Sequence, residues 1–378
     1  MRCHASASFA APRRRLSRPD HIVIGRGLHR LLEGQRDRMA ASDRILRLLA
    51  FRRTVKIGGF HCSALLTEPI AGAPMYIARA PLAIIAASLV VVFSLTGLAR
   101  AQPAPGPEGS PEGAWRSQIH WIPMTDAAGN HHLLQARICR PPSDMPARVV
   151  IIAHGTSPNN KKAVPGHCGA EAMRWFLDGG FIVVSALTRG YGATGGDWAE
   201  GIAHKPGDDY FRPGLETARD IAATVDYATA LPFAQSRAAV VIGHSGGGWG
   251  TIAYDSIPHP RVTALISMAG GRGQTITEDG VRRPELGVWR PDLLIDAAGR
   301  FGQTATTPML WVYSENDSFL APALAASLYN AFARTGGKAE LVQVAPYGND
   351  GHRFFFGPGG SQIWGPLVAR YLDRQPAQ

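Results

Sequence analysis

Residues 239–247 read Ala-Val-Val-Ile-Gly-His-Ser-Gly-Gly. The run Ala238–Ile242 is apolar and β-branched, the mark of a strand buried on both faces. A glycine-rich turn and a helix-like stretch follow at once. Gly243-His244-Ser245-Gly246-Gly247 matches G-x-S-x-G, which by itself says little in a chain with 43 glycines. The strand before it and the helix after it give it weight. A tight strand-to-helix elbow lifts a serine hydroxyl above the sheet. Crowding there admits only small neighbours, hence Gly243 and Gly247. The N–H of Gly246, at the helix start, then points toward a developing oxyanion. The alternative is a glycine-rich turn with a capping serine.

Outward from this stretch, strand-like runs cover Gln118–Met124, His132–Cys139, Arg148–Ala153, Phe181–Leu187, Val262–Met268, Pro308–Tyr313 and Ala339–Val344. Helical patterns cover Gly169–Leu177, Gly214–Leu231, Pro322–Arg334 and Ser361–Tyr371. The alternation predicts an α/β fold, a mostly parallel sheet of about eight strands with helices on both faces. The first two strands suit a hairpin around Asp126–Asn130. Residues 271–305 are irregular and polar, with a helix expected near Asp292–Ala298. They read as a small cap or loop excursion, whose Arg272, Trp289 and Arg290 either select substrate or lie on a solvated surface. Trp249, just inside the helix after Ser245, reads as core.

A nucleophilic serine needs a base, and the base needs an orienting carboxylate. His352 lies in a loop after the last strand. Asp317 lies just past the preceding strand, in Val-Tyr-Ser-Glu-Asn-Asp. The expected roles are attack by Ser245, proton transfer by His352 and tautomer control by Asp317, with Glu315 and Asp350 as rival acids. The second oxyanion donor is expected from the loop His154-Gly155-Thr156, after the strand Arg148–Ala153. Gly155 allows close backbone approach, and the N–H of Thr156 is the donor. His154 either packs to shape this loop or acts directly.

These motifs resemble the α/β-hydrolase superfamily, and most closely its dienelactone-hydrolase-related group. The residues that carry the resemblance are Ile151-Ile-Ala-His154-Gly155, Arg189-Gly-Tyr-Gly-Ala-Thr-Gly195, Gly243-His-Ser245-Gly-Gly247, Asp317 and His352. The order Ser245, Asp317, His352 is the order of that superfamily. Dienelactone hydrolases carry a cysteine nucleophile. Serine at position 245 therefore favours an ester over a dienelactone.

The formal charge of +10 is unevenly placed. Residues 1–74 hold 14 Lys+Arg against five Asp+Glu, whereas residues 102–378 hold 23 against 24. No excess of positive charge is left in the main domain for nucleic acid. Residues 1–74 read as a basic leader, disordered or upstream of the true start. From Met75 a short basic start, an apolar run Leu82–Leu98 and Ala99-Arg100-Ala101 form a secretory signal peptide pattern, with a membrane anchor as the alternative. Residues 102–113 read as a Pro/Gly linker, and 114–378 as the hydrolase domain.

Gly190-Tyr-Gly192-Ala-Thr-Gly195 literally matches the dinucleotide fingerprint, but Gly196-Asp-Trp-Ala-Glu-Gly201 is a poor helix, so no dinucleotide is expected. Arg189 and Tyr191 either line the pocket or fasten their loop. No HExxH or P-loop occurs, and no metal or cofactor is expected. Cys139 and Cys168, the cysteines after Gln102, are either a disulfide or two buried thiols. The reading that results is an exported, periplasmic or secreted serine hydrolase. It would act on a small-molecule ester, lactone or thioester and meet the membrane only for export or anchoring. A serine peptidase or a non-catalytic binding protein on the same fold are the alternatives. Oligomeric state is not legible.

Overall fold

The computed structural model describes residues 53–57, 60–64, 103–157, 160–198, 200–201, 207, 209–273 and 288–375. The chain forms two compact units, Met1–Leu98 and Ala99–Gln378. In the first, β1 (Arg53–Ile57) and β2 (Phe60–Ala64) pair antiparallel, within the stretch read as a leader. The signal-peptide or anchor segment 75–101 lies outside the described residues.

The second unit is built on one nine-stranded sheet. Its strands are β3 (Gly106–Glu112), β4 (Ser117–Thr125), β5 (His131–Cys139), β6 (Val149–Ala153), β7 (Ile182–Ala186), β8 (Ala239–His244), β9 (Val262–Met268), β10 (Met309–Ser314) and β11 (Ala339–Val344). Their spatial order is β11-β10-β9-β8-β6-β7-β5-β4-β3. The run from β11 to β7 is parallel, and β5, β4 and β3 continue it antiparallel. Every residue of β6, β7, β9 and β10 is buried, which is why those strands read as mostly apolar runs.

The ninth strand corrects the linker reading of 102–113. The stretch Gly106–Glu112 pairs with β4 at the sheet edge, and the Trp121 indole donates to Glu108 Oε2 at 2.7 Å. An edge strand needs its N–H groups on one side only, so Pro107 and Pro111 are tolerated there. Composition made a strand look like a spacer.

Among the described residues six helices flank the sheet: α1 (Glu171–Asp178), α2 (Phe211–Thr229), α3 (Gly246–Tyr254), α4 (Pro291–Gly302), α5 (Pro322–Arg334) and α6 (Ser361–Asp373). Handedness distributes them. The crossover β6–α1–β7 runs toward the β3 edge. The crossover β7–α2–β8 and all later ones run the other way. Right-handed crossovers in opposite directions lie on opposite faces. The reversal leaves the C-terminal ends of β6 and β8 side by side, with Ala153 opposite Gly243. Such a switch point is where an open sheet forms its crevice.

The expected cap is corrected in part. Residues 274–287 lie outside the described residues. Arg272 is buried, and α4 packs among α2, α3 and α5 as an ordinary layer helix. Arg290 is half exposed and pairs with Asp292 at the start of α4. Trp249 is fully buried, its indole donating to Tyr210 O at 2.9 Å. Cys139, ending β5, and Cys168, before α1, form a disulfide across 29 residues. A loop of that size is worth about 3.5 kcal/mol on the chain-entropy account.

Candidate active site

The site begins with a constrained serine. Ser245 has φ 54° and ψ −119°, a conformation side-chain-bearing residues rarely adopt. Its N–H donates to Met268 O at 3.0 Å. Its carbonyl accepts from Trp249 at 2.9 Å and from Gly271 at 3.1 Å. A Cβ on Gly243 would collide with the Gly247 carbonyl and the Thr251 hydroxyl. One on Gly247 would collide with the carbonyls of Ala153 and His154. These two glycines let α3 start against the ends of β6 and β8.

His352 arrives from the short 3₁₀ turn Gly351–Arg353, beyond β11. Its Nε2 lies 2.9 Å from Ser245 Oγ, and its Nδ1 lies 3.1 and 3.0 Å from the Asp317 oxygens. An ionised carboxylate only accepts, so Nδ1 carries the hydrogen and Nε2 is left to accept from the serine hydroxyl. The Asp317 side chain is fully buried. Its Oδ1 also accepts the N–H groups of Phe319 and Leu320, both at 2.8 Å. The Phe319 ring packs on the imidazole with centroids 4.4 Å apart.

The rival acids have other places. Glu315 is exposed. Asp350 Oδ1 accepts from His352 N at 3.0 Å and Ser318 N at 3.2 Å, tying the two loops together. Two further residues hold the base. The Asn316 amide accepts from Tyr347 N at 2.9 Å and donates to Gly348 O at 3.1 Å. His244 Nε2 lies 2.6 Å from the carbonyl of His352. Burial, with His352 alongside, holds the His244 imidazole down at about 3, so it is neutral and donates from Nε2. The sequence marked His244 only as a filler of the elbow. Asn316 carried no signal, because the Tyr347 and Gly348 backbone that it ties lies 31 and 32 residues away.

On the other side of Ser245 lie the oxyanion candidates. A Cβ on Gly246 would sit 3.1 Å from Thr156 N, and one on Gly155 would sit 3.0 Å from Ser245 Cβ. Gly246 and the Thr156 amide thus lie side by side next to the nucleophile. The Thr188 N–H donates to His154 Nε2 at 3.1 Å, so the His154 hydrogen is on Nδ1, which donates to Gly155 O at 2.9 Å. In a trans peptide this turns the Thr156 N–H away from the held carbonyl. His154 therefore shapes the loop.

Arg189 and Tyr191 are corrected as pocket residues. Arg189 is buried against α2, paired with Asp220 and Glu216, each at 2.7 Å. Tyr191 is fully buried, its ring on His154 at 4.6 Å, its hydroxyl donating to Glu200 and accepting from Ser157 N. Both fasten loops. Glu200, unmarked by the sequence, joins Tyr191, Trp198, Thr217 and Arg272. Burial pushes its carboxyl up. The Arg272 guanidinium, with the Tyr191 and Trp198 donors, outweighs that and holds it at about 2.

By sheet order and elbow, the chain has the α/β-hydrolase fold. Residues 170–262, which include Ser245 and end before Asp317, match the model of the prolyl oligopeptidase family. That is about a quarter of the chain. Among solved structures, Pyrococcus horikoshii acylaminoacyl peptidase is 17% identical with a TM-score of 0.50, over 70% of this chain and 42% of that one. Acetyl xylan esterase 1 from Thermoanaerobacterium is 17% identical with a TM-score of 0.46, over 71% and 88%. A Klebsiella pneumoniae protein provisionally described as a dienelactone hydrolase is 15% identical with a TM-score of 0.46, over 69% and 100%. No curated protein matches the chain.

Proposed function

We propose that this protein is a serine hydrolase that cleaves carboxylic esters through an acyl-enzyme. The observation that carries the reading is the 2.9 Å approach of Ser245 Oγ to His352 Nε2, with Nδ1 held by buried Asp317. Ser245 Oγ attacks the ester carbonyl carbon while its proton passes to His352 Nε2. The carbonyl oxygen becomes an oxyanion facing the Gly246 and Thr156 amides. As the intermediate collapses, the ester C–O bond breaks and the alkoxide takes the proton from Nε2. Water, deprotonated by the same nitrogen, then attacks the acyl carbon and frees Ser245. Each step uses a group already in place, which argues against a non-catalytic binding protein.

The match to the prolyl oligopeptidase family supports a second reading, a serine peptidase with the same machinery. We propose the exported location as well. The Met75–Ala101 pattern supports it, and so does the Cys139–Cys168 disulfide, a bond that persists in oxidising compartments. A fluorophosphonate probe should label the full chain but not Ser245→Ala. A panel of p-nitrophenyl esters and peptide p-nitroanilides then separates esterase from peptidase. Folded protein that takes no label and turns over neither panel would sink the enzyme reading.

A further inference from the structure

The side-chain hydroxyl of Thr156 is a buried group that the mechanism above leaves unused. Thr156 Oγ1 is shielded from solvent and has no hydrogen-bond partner among the described residues. Buried hydroxyls are ordinarily paired, so an orphan asks for an acceptor that appears only at some moment of function. Its position suggests which. A Cβ built on Gly246 would collide with Thr156 Oγ1, lie 3.1 Å from Thr156 N and 3.2 Å from the Arg272 guanidinium. The hydroxyl and the amide of one residue therefore face the same edge of Gly246, the residue that follows the nucleophile.

We propose that the Thr156 hydroxyl is a third donor to the oxyanion, beside the amides of Gly246 and Thr156. This rests on the serine-hydrolase reading above. A hydroxyl hydrogen rotates freely about its C–O bond, so the group can idle in the resting enzyme and turn to the oxygen as charge develops. A donor without a ground-state acceptor strengthens its bond mainly in the transition state, the condition for raising kcat without changing KM. The surroundings keep it in place. Ser157 N donates to Tyr191 OH at 3.2 Å, immediately after Thr156, and His154 holds the carbonyl of Gly155 immediately before it. Arg272 is neutralised by Glu200 at 3.0 Å and donates to Gly246 O at 3.2 Å. The Arg272 nitrogen nearest Gly246, Nη2, is thus occupied, and the added donor is the neutral hydroxyl.

The test compares Thr156→Val, Thr156→Ala and Thr156→Ser in the full chain, on whichever p-nitrophenyl ester the wild type turns over best. Removing one oxyanion donor typically lowers kcat by about 10²-fold or more. The valine and alanine variants should show that loss with KM unchanged, and the serine variant should stay within about threefold of wild type. Affinity for a trifluoromethyl ketone, which forms a tetrahedral adduct with the serine, should fall by the same factor as kcat. A merely structural role would not link those two readouts. The alanine variant decides the matter if the valine variant does not fold. Valine or alanine variants with wild-type kcat, or a loss that serine does not restore, would overturn the proposal while the enzyme reading stands. Wild-type protein that neither takes fluorophosphonate nor cleaves esters would overturn both.

Discussion

Ser245 and His352 meet at one edge of the sheet, yet the two sides of the site are held by different physics. The serine side is held by contact. Its elbow closes only because Gly243 and Gly247 lack side chains, and Ser245 keeps a rare conformation between carbonyls a few ångströms away. The base side is held by hydrogen bonds from side chains to distant backbone. Asn316, Asp350 and His244 suspend two loops that have no strand or long helix of their own. A sterically closed part should fail abruptly with one added methyl. A suspended part should fail by degrees, except at the one bond that sets a proton.

That bond carries the largest expected effect. In Asp317→Asn the remaining oxygen would still accept from Phe319 and Leu320, which turns the amide NH2 toward His352 Nδ1. The imidazole hydrogen would then move to Nε2, and no acceptor would face Ser245. We expect kcat to fall about 10⁴-fold with the fold retained, as for wrong-tautomer variants of such triads. Steady-state kinetics and circular dichroism check it. A loss under tenfold would mean that Asp317 does not set the tautomer.

Gly247→Ala comes next. The new methyl would meet two backbone carbonyls, those of Ala153 and His154, which cannot swing aside as a side chain does. Overpacking against backbone should cost about 3 kcal/mol or more. The expected outcome is a collapse in thermal stability together with loss of fluorophosphonate labelling. A variant that melts normally would show the elbow to be looser than described.

The same division explains what could be read from sequence. Buried parallel strands are apolar and β-branched because both faces are covered, so β6, β8, β9 and β10 announce themselves. The elbow is legible too, since steric closure leaves local traces, glycines at fixed offsets from Ser245. Asp317 and His352 were readable only through their order after those strands. Asn316 and His244 act on backbone far away in the chain, and Glu200 joins a cluster whose Thr217 and Arg272 only the fold brings in; no spacing rule records either. The edge strand Gly106–Glu112 was missed for the opposite reason. A strand with one unpaired side does not need strand-like composition, and its prolines and glycines imitate a linker.

His244 supplies a pH test of the suspended side. Its pKa is lowered from the ordinary 6.5 to about 3, and burial also lowers that of His120, to about 4. Between those values and 6.5 the unfolded chain binds protons that the folded one refuses. Stability should therefore be full above pH 6.5, decline as pH falls from there toward 4 and then 3, and level off below. Urea unfolding at stepped pH measures this. His244→Gln keeps an amide donor for the His352 carbonyl but cannot titrate, so its acid limb should be shallower. A limb identical to wild type would remove His244 from the account.

Asp350→Ala is the smallest and the most discriminating. It removes two charge-assisted bonds, to His352 N and Ser318 N, from a group near the surface, while Asn316 still ties both loops. Losing one of several supports should cost about 1–2 kcal/mol. The catalytic loss should be a few-fold, since Nδ1 remains bonded to Asp317. If this variant instead matches Asp317→Asn in kcat, the acid assignment is wrong, because a support of the loop would be behaving as the proton-setting group. If it is graded as expected, the base side is a suspension with redundancy, and the single irreplaceable contact in it is the one between His352 and Asp317.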